Sequence, residues 1–130
     1  MEYTITVEVE RGYDETVAAT REALADNGFG VLTEIDLTAT LKAKLGVDVP
    51  RQIILGACRP PLAYAALQAE PAVAVLLPCN VVVRSERPGA TVVQALDPAF
   101  MVSMIEGEQV AEVAADARAR IAAALEQIRG

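Results

Sequence analysis

The stretch that decides the fold runs from Val73 to Leu96 and reads VAVLLPCNVVVRSERPGATVVQAL. Its first half, as far as Arg84, is hydrophobic on both faces of an extended chain, which predicts a buried strand. Pro88-Gly89 supplies a turn, and Ala90 to Leu96 is typical of a further strand. We therefore predict that the last two strands of the sheet form a hairpin.

Upstream of this hairpin, hydrophobic patterning predicts three more strands, at Tyr3–Glu10, Gly30–Ile35 and Arg51–Ala57. Helices are predicted between them. Asp14 has the position of an N-cap, and Asp36 that of the N-cap of a short helix that Gly46 ends. The order of elements therefore alternates strands with helices.

The longest predicted helix runs from Glu108 to Arg129, downstream of the hairpin. Hydrophobic residues recur along it at helical spacing and form one stripe: Val110, Val113, Ala117, Ile121, Leu125 and Ile128. Such a stripe packs on a sheet. We expect one α+β domain over residues 1–130, with a single-layer antiparallel sheet of about five strands backed by helices.

Composition predicts an aliphatic core and a surplus of apolar surface. Hydrophobic residues make up 53% of the 130 residues, aromatic residues only 4%, and tryptophan is absent. The mean hydropathy of +0.33 is high for a soluble monomer of this size. A homodimer is the simplest way to cover such a surface.

The charge balance excludes several classes of partner. The net charge is −7, and the 11 basic residues are scattered, whereas nucleic-acid binding needs clustered Lys and Arg. Nucleic acid and anionic membranes are therefore not expected partners. The N-terminus lacks the pattern of a signal peptide, and the apolar stretch from Ala72 to Val83 is too short to span a bilayer. We expect a cytoplasmic protein with reduced thiols.

Two cysteines, Cys58 and Cys79, are the strongest candidates for chemistry, because the chain has no histidine. Each lies beside a proline at the edge of an apolar run, where the third and fourth strands end and begin. One interpretation is a thiol pair that binds a soft metal or cycles with a disulfide. The other is that both are small buried hydrophobic residues in a tight corner. Arg59 and Asn80 follow the cysteines directly and complete this candidate site.

Carboxylates form a second candidate group. Glu34 and Asp36 lie two residues apart, so they share a strand face if the second strand extends that far. Such a pair can perform acid–base catalysis or hold a divalent cation. Alternatively, Asp36 caps a helix and Glu34 is solvated. The sequence contains no catalytic Ser-His-Asp set and no phosphate-binding loop.

Four segments together resemble the domain-of-unknown-function family 302, in order and spacing: Gly28-Phe29-Gly30-Val31, Ile54-Leu55-Gly56-Ala57-Cys58-Arg59-Pro60, Leu77-Pro78-Cys79-Asn80-Val81-Val82-Val83 and Asp97-Pro98. The resemblance covers nearly the whole chain. Arg59 departs from the asparagine of the family pattern, so no essential amide is implied there. The resemblance implies an antiparallel sheet backed by helices, similar in shape to the TATA-binding-protein-like group, and it implies no established activity.

Two functions remain open on this basis. The first is a homodimeric interaction module, or one that binds a small apolar ligand in a groove between sheet and helices. The second is a thiol-based redox or soft-metal-binding protein that uses Cys58 and Cys79. No cofactor is predicted, and the sequence leaves open whether the protein is an enzyme.

Overall fold

A five-stranded antiparallel sheet forms the centre of the protein in the computed structural model, which describes residues 2–130. The strands are β1 (Thr4–Val9), β2 (Gly30–Asp36), β3 (Gln52–Cys58), β4 (Cys79–Arg87) and β5 (Ala90–Leu96). Their order in the sheet is β1-β5-β4-β3-β2, and every neighbouring pair is antiparallel. The α+β class and the β4–β5 hairpin expected from the sequence are confirmed.

In the part of the chain that the structure describes, four α-helices accompany the sheet: α1 (Tyr13–Asp26), α2 (Leu37–Leu45), α3 (Pro60–Ala69) and α4 (Glu108–Arg129). Two short 3₁₀ helices, Pro71–Leu76 and Pro98–Ser103, lead into β4 and away from β5. Gly46 follows α2 in the left-handed conformation, with φ of 70°, as expected of a residue that ends a helix. The predicted bounds of α4 are confirmed.

The main core lies between one face of the sheet and the helices α1 and α4. Cross-strand neighbours such as Leu55 and Val81 are fully buried there, together with Leu24 of α1 and Ile121 of α4. Because side chains alternate along a strand, the residues between them point to the other face of the sheet. On that face, Ile54 and Val82 are only half-buried.

Two local predictions were wrong. Residues 73–76 belong to a 3₁₀ helix that starts at Pro71, and β4 begins only at Cys79. Proline fixes a helix-like φ and lacks an N–H for a sheet, so Pro71 and Pro78 favour this later start. Asp14 lies in the first turn of α1, where Gly12 is the N-cap. Asp14 instead pairs with Arg51 through two hydrogen bonds of 2.7 and 3.0 Å.

The helices within residues 2–130 include none with the length and apolar character that crossing a membrane requires.

Candidate functional site

The ends of β3 and β4 bring the two cysteines into one corner of the fold. Ala57 of β3 lies directly opposite Cys79, the first residue of β4, so Cys58 is one residue from this pair. β3 then continues through Arg59 into α3, which Pro60 opens at its first turn. The expected approach of the two cysteine segments therefore follows from the pairing of neighbouring antiparallel strands.

A small cavity of about 30 Å³ lies at this corner, between the strand ends, α3 and α4. Cys58, Arg59 and Cys79 contribute to its wall. The rest of the lining is apolar: Phe29, Ala57, Leu62, Ala63, Ala66, Leu77, Pro98, Met101, Val113, Ala114 and Ala117. Members of the main core and of a smaller cluster around Ala66, Val73 and Met101 both contribute to its lining.

The two thiols differ in their surroundings. Cys79 is buried, Cys58 is half-buried, and both are free. Burial raises the pKa of the Cys79 thiol above its ordinary value, and the negative charge of a Cys58 thiolate raises it further. Cys79 is therefore a neutral, nearly apolar wall of the cavity at neutral pH. The thiolate form, which reacts with electrophiles and binds metals, is disfavoured there.

Within the described residues 2–130, Arg59 is the one basic residue in the lining of the cavity. Its Nε atom is buried and has no hydrogen-bond partner among the described residues 2–130. The guanidinium lies against Gly28, where an added Cβ would come within 2.5 Å of Nη1 of Arg59. Gly28 has a φ of 87° at the end of α1, which favours glycine, and a side chain there would also displace the guanidinium of Arg59.

The other three candidate residues lie outside the cavity. Glu34 forms an ion pair of 2.7 Å with Arg21 of α1. Asp36 accepts a hydrogen bond of 2.9 Å from the Ala39 N–H and caps α2. Asn80 is exposed in β4. The structural interpretation of Asp36 as a cap is confirmed, and β2 does extend far enough to include both carboxylates.

A second, larger groove of about 250 Å³ lies beside α2. Its charged side chains already have partners. Lys42 pairs with Asp48 at 3.0 Å, Asp36 caps α2, and Arg51 pairs with Asp14 and stacks over the ring of Tyr13 at 4.3 Å. This groove therefore offers few free groups to a ligand, whereas the smaller cavity offers apolar walls.

Residues 2–130 contain no group of three or more His, Cys, Asp or Glu side chains arranged to hold a metal ion. Cys58 and Cys79 would supply two ligands, which suits only a soft ion of low coordination number.

Most of the apolar residues that line the small cavity were not recognised from the sequence as part of a site. Met101 belongs to the second 3₁₀ helix, and Val113, Ala114 and Ala117 belong to α4. Val113 and Ala117 had been assigned to the buried stripe of α4, so the signal for their burial was present. The cavity that they line depends on how α4 crosses the end of the sheet. The spacing of hydrophobic residues along α4 does not predict this crossing.

The comparisons with known proteins agree with this architecture. None of the curated proteins matches the chain. A crystal structure of an uncharacterized conserved DUF302 protein from Bacillus stearothermophilus is 35% identical, with a TM-score of 0.90. The match covers 99% of this chain and 100% of that one. The family model described as domain of unknown function DUF302 matches residues 5–128. The fold, the two cysteine segments and these matches together show that the chain belongs to the DUF302 family.

Proposed function

We propose that the protein binds a small ligand in the cavity lined by Cys58, Arg59 and Cys79. The observation that carries this proposal is a partly open cavity, at the corner where the ends of β3 and β4 meet α3 and α4, whose walls are almost wholly apolar. Apolar walls with one or a few polar groups are typical of small-molecule sites.

Xenon is a suitable first probe, because it enters small apolar cavities without any polar contact. We expect xenon to shift the methyl resonances of Leu62 and Val113, which line the cavity, in a saturable way. Ala63→Leu should abolish these shifts, because the added side chain fills the cavity that Ala63 lines. Ala119→Leu, on the exposed face of α4, is the matched control and should leave them unchanged. Absence of xenon shifts in the wild type would contradict the proposal.

A homodimer is the second part of this proposal. Cross-strand neighbours Ile35, Ile54 and Val82 form an aliphatic row on the face of the sheet opposite the main core. Ile35 is 46% exposed, although it is a large hydrophobic residue. A second copy of the chain that packs on this row would remove it from water.

Light scattering tests the dimer directly. We expect a mass of twice the 13.7 kDa of the chain at micromolar concentration. Ile54→Lys should yield the monomer, because it places a charge at the centre of the proposed interface. Val75→Lys, at an 86% exposed position of the first 3₁₀ helix, should leave the dimer intact. A wild-type monomer would overturn this part of the proposal.

Charge and redox chemistry support two further parts of the proposal, namely that nucleic acid is not a partner and that the protein is cytoplasmic. A net charge of −7 disfavours nucleic acid as a partner, because phosphate contacts need clustered basic residues. Two free thiols at one corner are typical of proteins of a reducing compartment, which supports a cytoplasmic location.

Thiol chemistry is the second candidate function, and the shared cavity of Cys58 and Cys79 favours it. In a redox role, the two thiols would form a disulfide and give two electrons and two protons to an oxidant. A metal-carrying role would need both thiolates. The raised pKa of Cys79 opposes the thiolate form, so ligand binding has the better support.

Alkylation separates the two functions. We expect iodoacetamide to modify half-buried Cys58 in the folded protein, and Cys79 only after unfolding, as measured by peptide mass spectrometry. The variants Cys58→Ser and Cys79→Ser identify which cysteine each modified peptide contains. Bound metal in the freshly purified protein, or rapid modification of both thiols, would favour the thiol function instead.

A further inference from the structure

We propose that helix α3 is a movable wall of the Cys58–Arg59–Cys79 cavity, and that its outward displacement admits an uncharged apolar ligand about the size of benzene. This inference rests on the proposed function and concerns the entry, the size and the chemical class of the ligand. Three features support it: the attachment of α3, the conformation of the residues at its two ends, and the size and polarity of the cavity.

Helix α3 lacks the polar contacts that fix the other helices to their neighbours. In the described residues 2–130, every hydrogen bond of residues 60–77 has its partner between Arg59 and Leu77, and no ion pair includes any of these residues. Each of the other three helices has such a contact: the Arg21–Glu34 ion pair of α1, the hydrogen bond from Gln52 to Thr38 of α2, and the Arg118–Asp97 ion pair of α4. Apart from the chain itself, apolar packing alone therefore holds α3 in place.

This apolar packing is also small. Within α3, which lies wholly inside the described residues, only Ala66 is buried, and it contributes one methyl group to the cluster with Val73 and Met101. In α1, by contrast, Ala23 and Leu24 are both fully buried, together with two threonine side chains. Because the free energy of apolar burial scales with the area removed from water, α3 leaves its position more readily than α1 does.

The residues at the two ends of α3 allow it to turn. Arg59 precedes the helix with φ of −104° and ψ of 105°, and Glu70 follows it with φ of −153° and ψ of 105°. Both conformations lie in the broad extended region, within which rotations of tens of degrees are allowed. Proline follows both residues, at Pro60 and Pro71, and fixes its own φ, so rotation is concentrated at Arg59 and Glu70. Helix α3 can thus turn as one unit and keep its own hydrogen bonds.

The size of the cavity makes this movement necessary for any ligand larger than a few atoms. A volume of about 30 Å³ corresponds to about two water-sized groups, whereas benzene occupies an apolar cavity of about 150 Å³. Leu62, Ala63 and Ala66 of α3 form one wall, so outward movement of α3 enlarges the cavity without a change in the main core.

The walls determine the chemical class of the ligand. They are mainly aliphatic and aromatic groups, and burial keeps the Cys79 thiol neutral by raising its pKa. A charged or strongly polar molecule would lose its hydration there without replacement. An uncharged apolar molecule has no such hydration to lose, and its transfer from water into the cavity is favourable.

Benzene is the probe of this movement, because it fits the cavity only after α3 has moved. We expect titration with benzene to shift the methyl resonances of Leu62 and Val113 in a saturable way. Ala63→Leu should abolish these shifts, because its side chain fills the space beside α3 that benzene would occupy.

Hydrogen exchange measures the opening of α3 in the free protein. The amide hydrogens of Leu67 and Gln68 should exchange at least about tenfold faster than those of Ala23 and Leu24 in α1. Low concentrations of urea should leave the exchange rates in α3 unchanged, because the local opening exposes little surface.

Two glycine substitutions test whether this opening admits the ligand. Gln68→Gly and Glu22→Gly each remove an exposed side chain and weaken a helix by a similar amount, the first in α3 and the second in α1. Gln68→Gly should raise the association rate of benzene about fivefold, because the glycine favours the open state of α3. Glu22→Gly is the matched control and should leave this rate unchanged. Lineshape analysis of the Leu62 methyl resonance measures the rate.

The outcomes distinguish failure of this inference from failure of the proposed function. Xenon binding without saturable benzene binding would overturn the movement of α3 and leave the cavity function standing. Equal exchange rates in α3 and α1, or equal benzene association rates in the two glycine variants, would overturn it as well. Absence of both xenon and benzene binding in the wild type would remove the proposed function itself. If Gln68→Gly fails to fold, the hydrogen-exchange comparison in the wild type decides the inference.

Discussion

Replacement of Leu55 by alanine is expected to lower the free energy of unfolding by about 2–5 kcal/mol. Leu55 is fully buried in β3, a strand with a neighbour on each side, and its cross-strand neighbour Val81 is fully buried as well. Removal of the isobutyl group leaves a void that α1 and α4 fill only in part, because each is held by its own contacts with the sheet. A lower midpoint of urea unfolding with an unchanged slope would report this loss.

Leu45→Ala is the matched control for this prediction. It removes the same atoms from the end of α2, where Leu45 is 69% exposed. The expected change in the free energy of unfolding is within about 0.5 kcal/mol. Similar losses for the two variants would mean that the helices do not cover the face of the sheet that carries Leu55.

Local periodicity was sufficient for most of the fold. The stripe of α4 gave its bounds, and the turn at Pro88-Gly89 gave the β4–β5 hairpin. Periodicity gave the wrong element at residues 73–76. This apolar run is typical of a strand, but it forms a 3₁₀ helix in which Val75 is 86% exposed. Hydrophobic content alone does not separate these two states. The prolines on either side were the better signal, because they restrict the backbone directly.

The candidate site was predictable only where it depends on neighbouring strands. The meeting of Cys58 and Cys79 follows from the pairing of β3 with β4, which the order of elements suggests. The unpartnered Nε of Arg59 was not predictable, because hydrogen-bond satisfaction depends on every group that surrounds it in the fold. The role of Gly28 is similar. Its place after a helix indicated a left-handed residue that ends the helix. Its contact with Arg59, by contrast, joins two segments that are distant in the sequence.

At Gly56, the two cysteine segments and β2 approach one another closely. It is buried in β3, and on the face of the sheet opposite the main core it meets side chains from both sides. A Cβ at this position would overlap Oγ1 of Thr33 in β2 and lie 2.8 Å from Cγ of Pro78, which precedes β4. The absence of a side chain therefore lets Thr33 and Pro78 close over β3 on this face of the sheet.

Gly56→Ala is expected to lower the free energy of unfolding by about 1–3 kcal/mol, because one added methyl group overpacks this corner. Gly30→Ala is the matched control in the adjacent strand. Its Cβ would meet only the Cys58 carbonyl oxygen at 3.9 Å, so the change should be neutral or stabilising by up to about 1 kcal/mol. Thr33→Ala combined with Gly56→Ala should restore part of the loss in a double-mutant cycle, since it removes the overlapping Oγ1. Equal effects of the two glycine substitutions in urea unfolding would show that Gly56 has no special packing role.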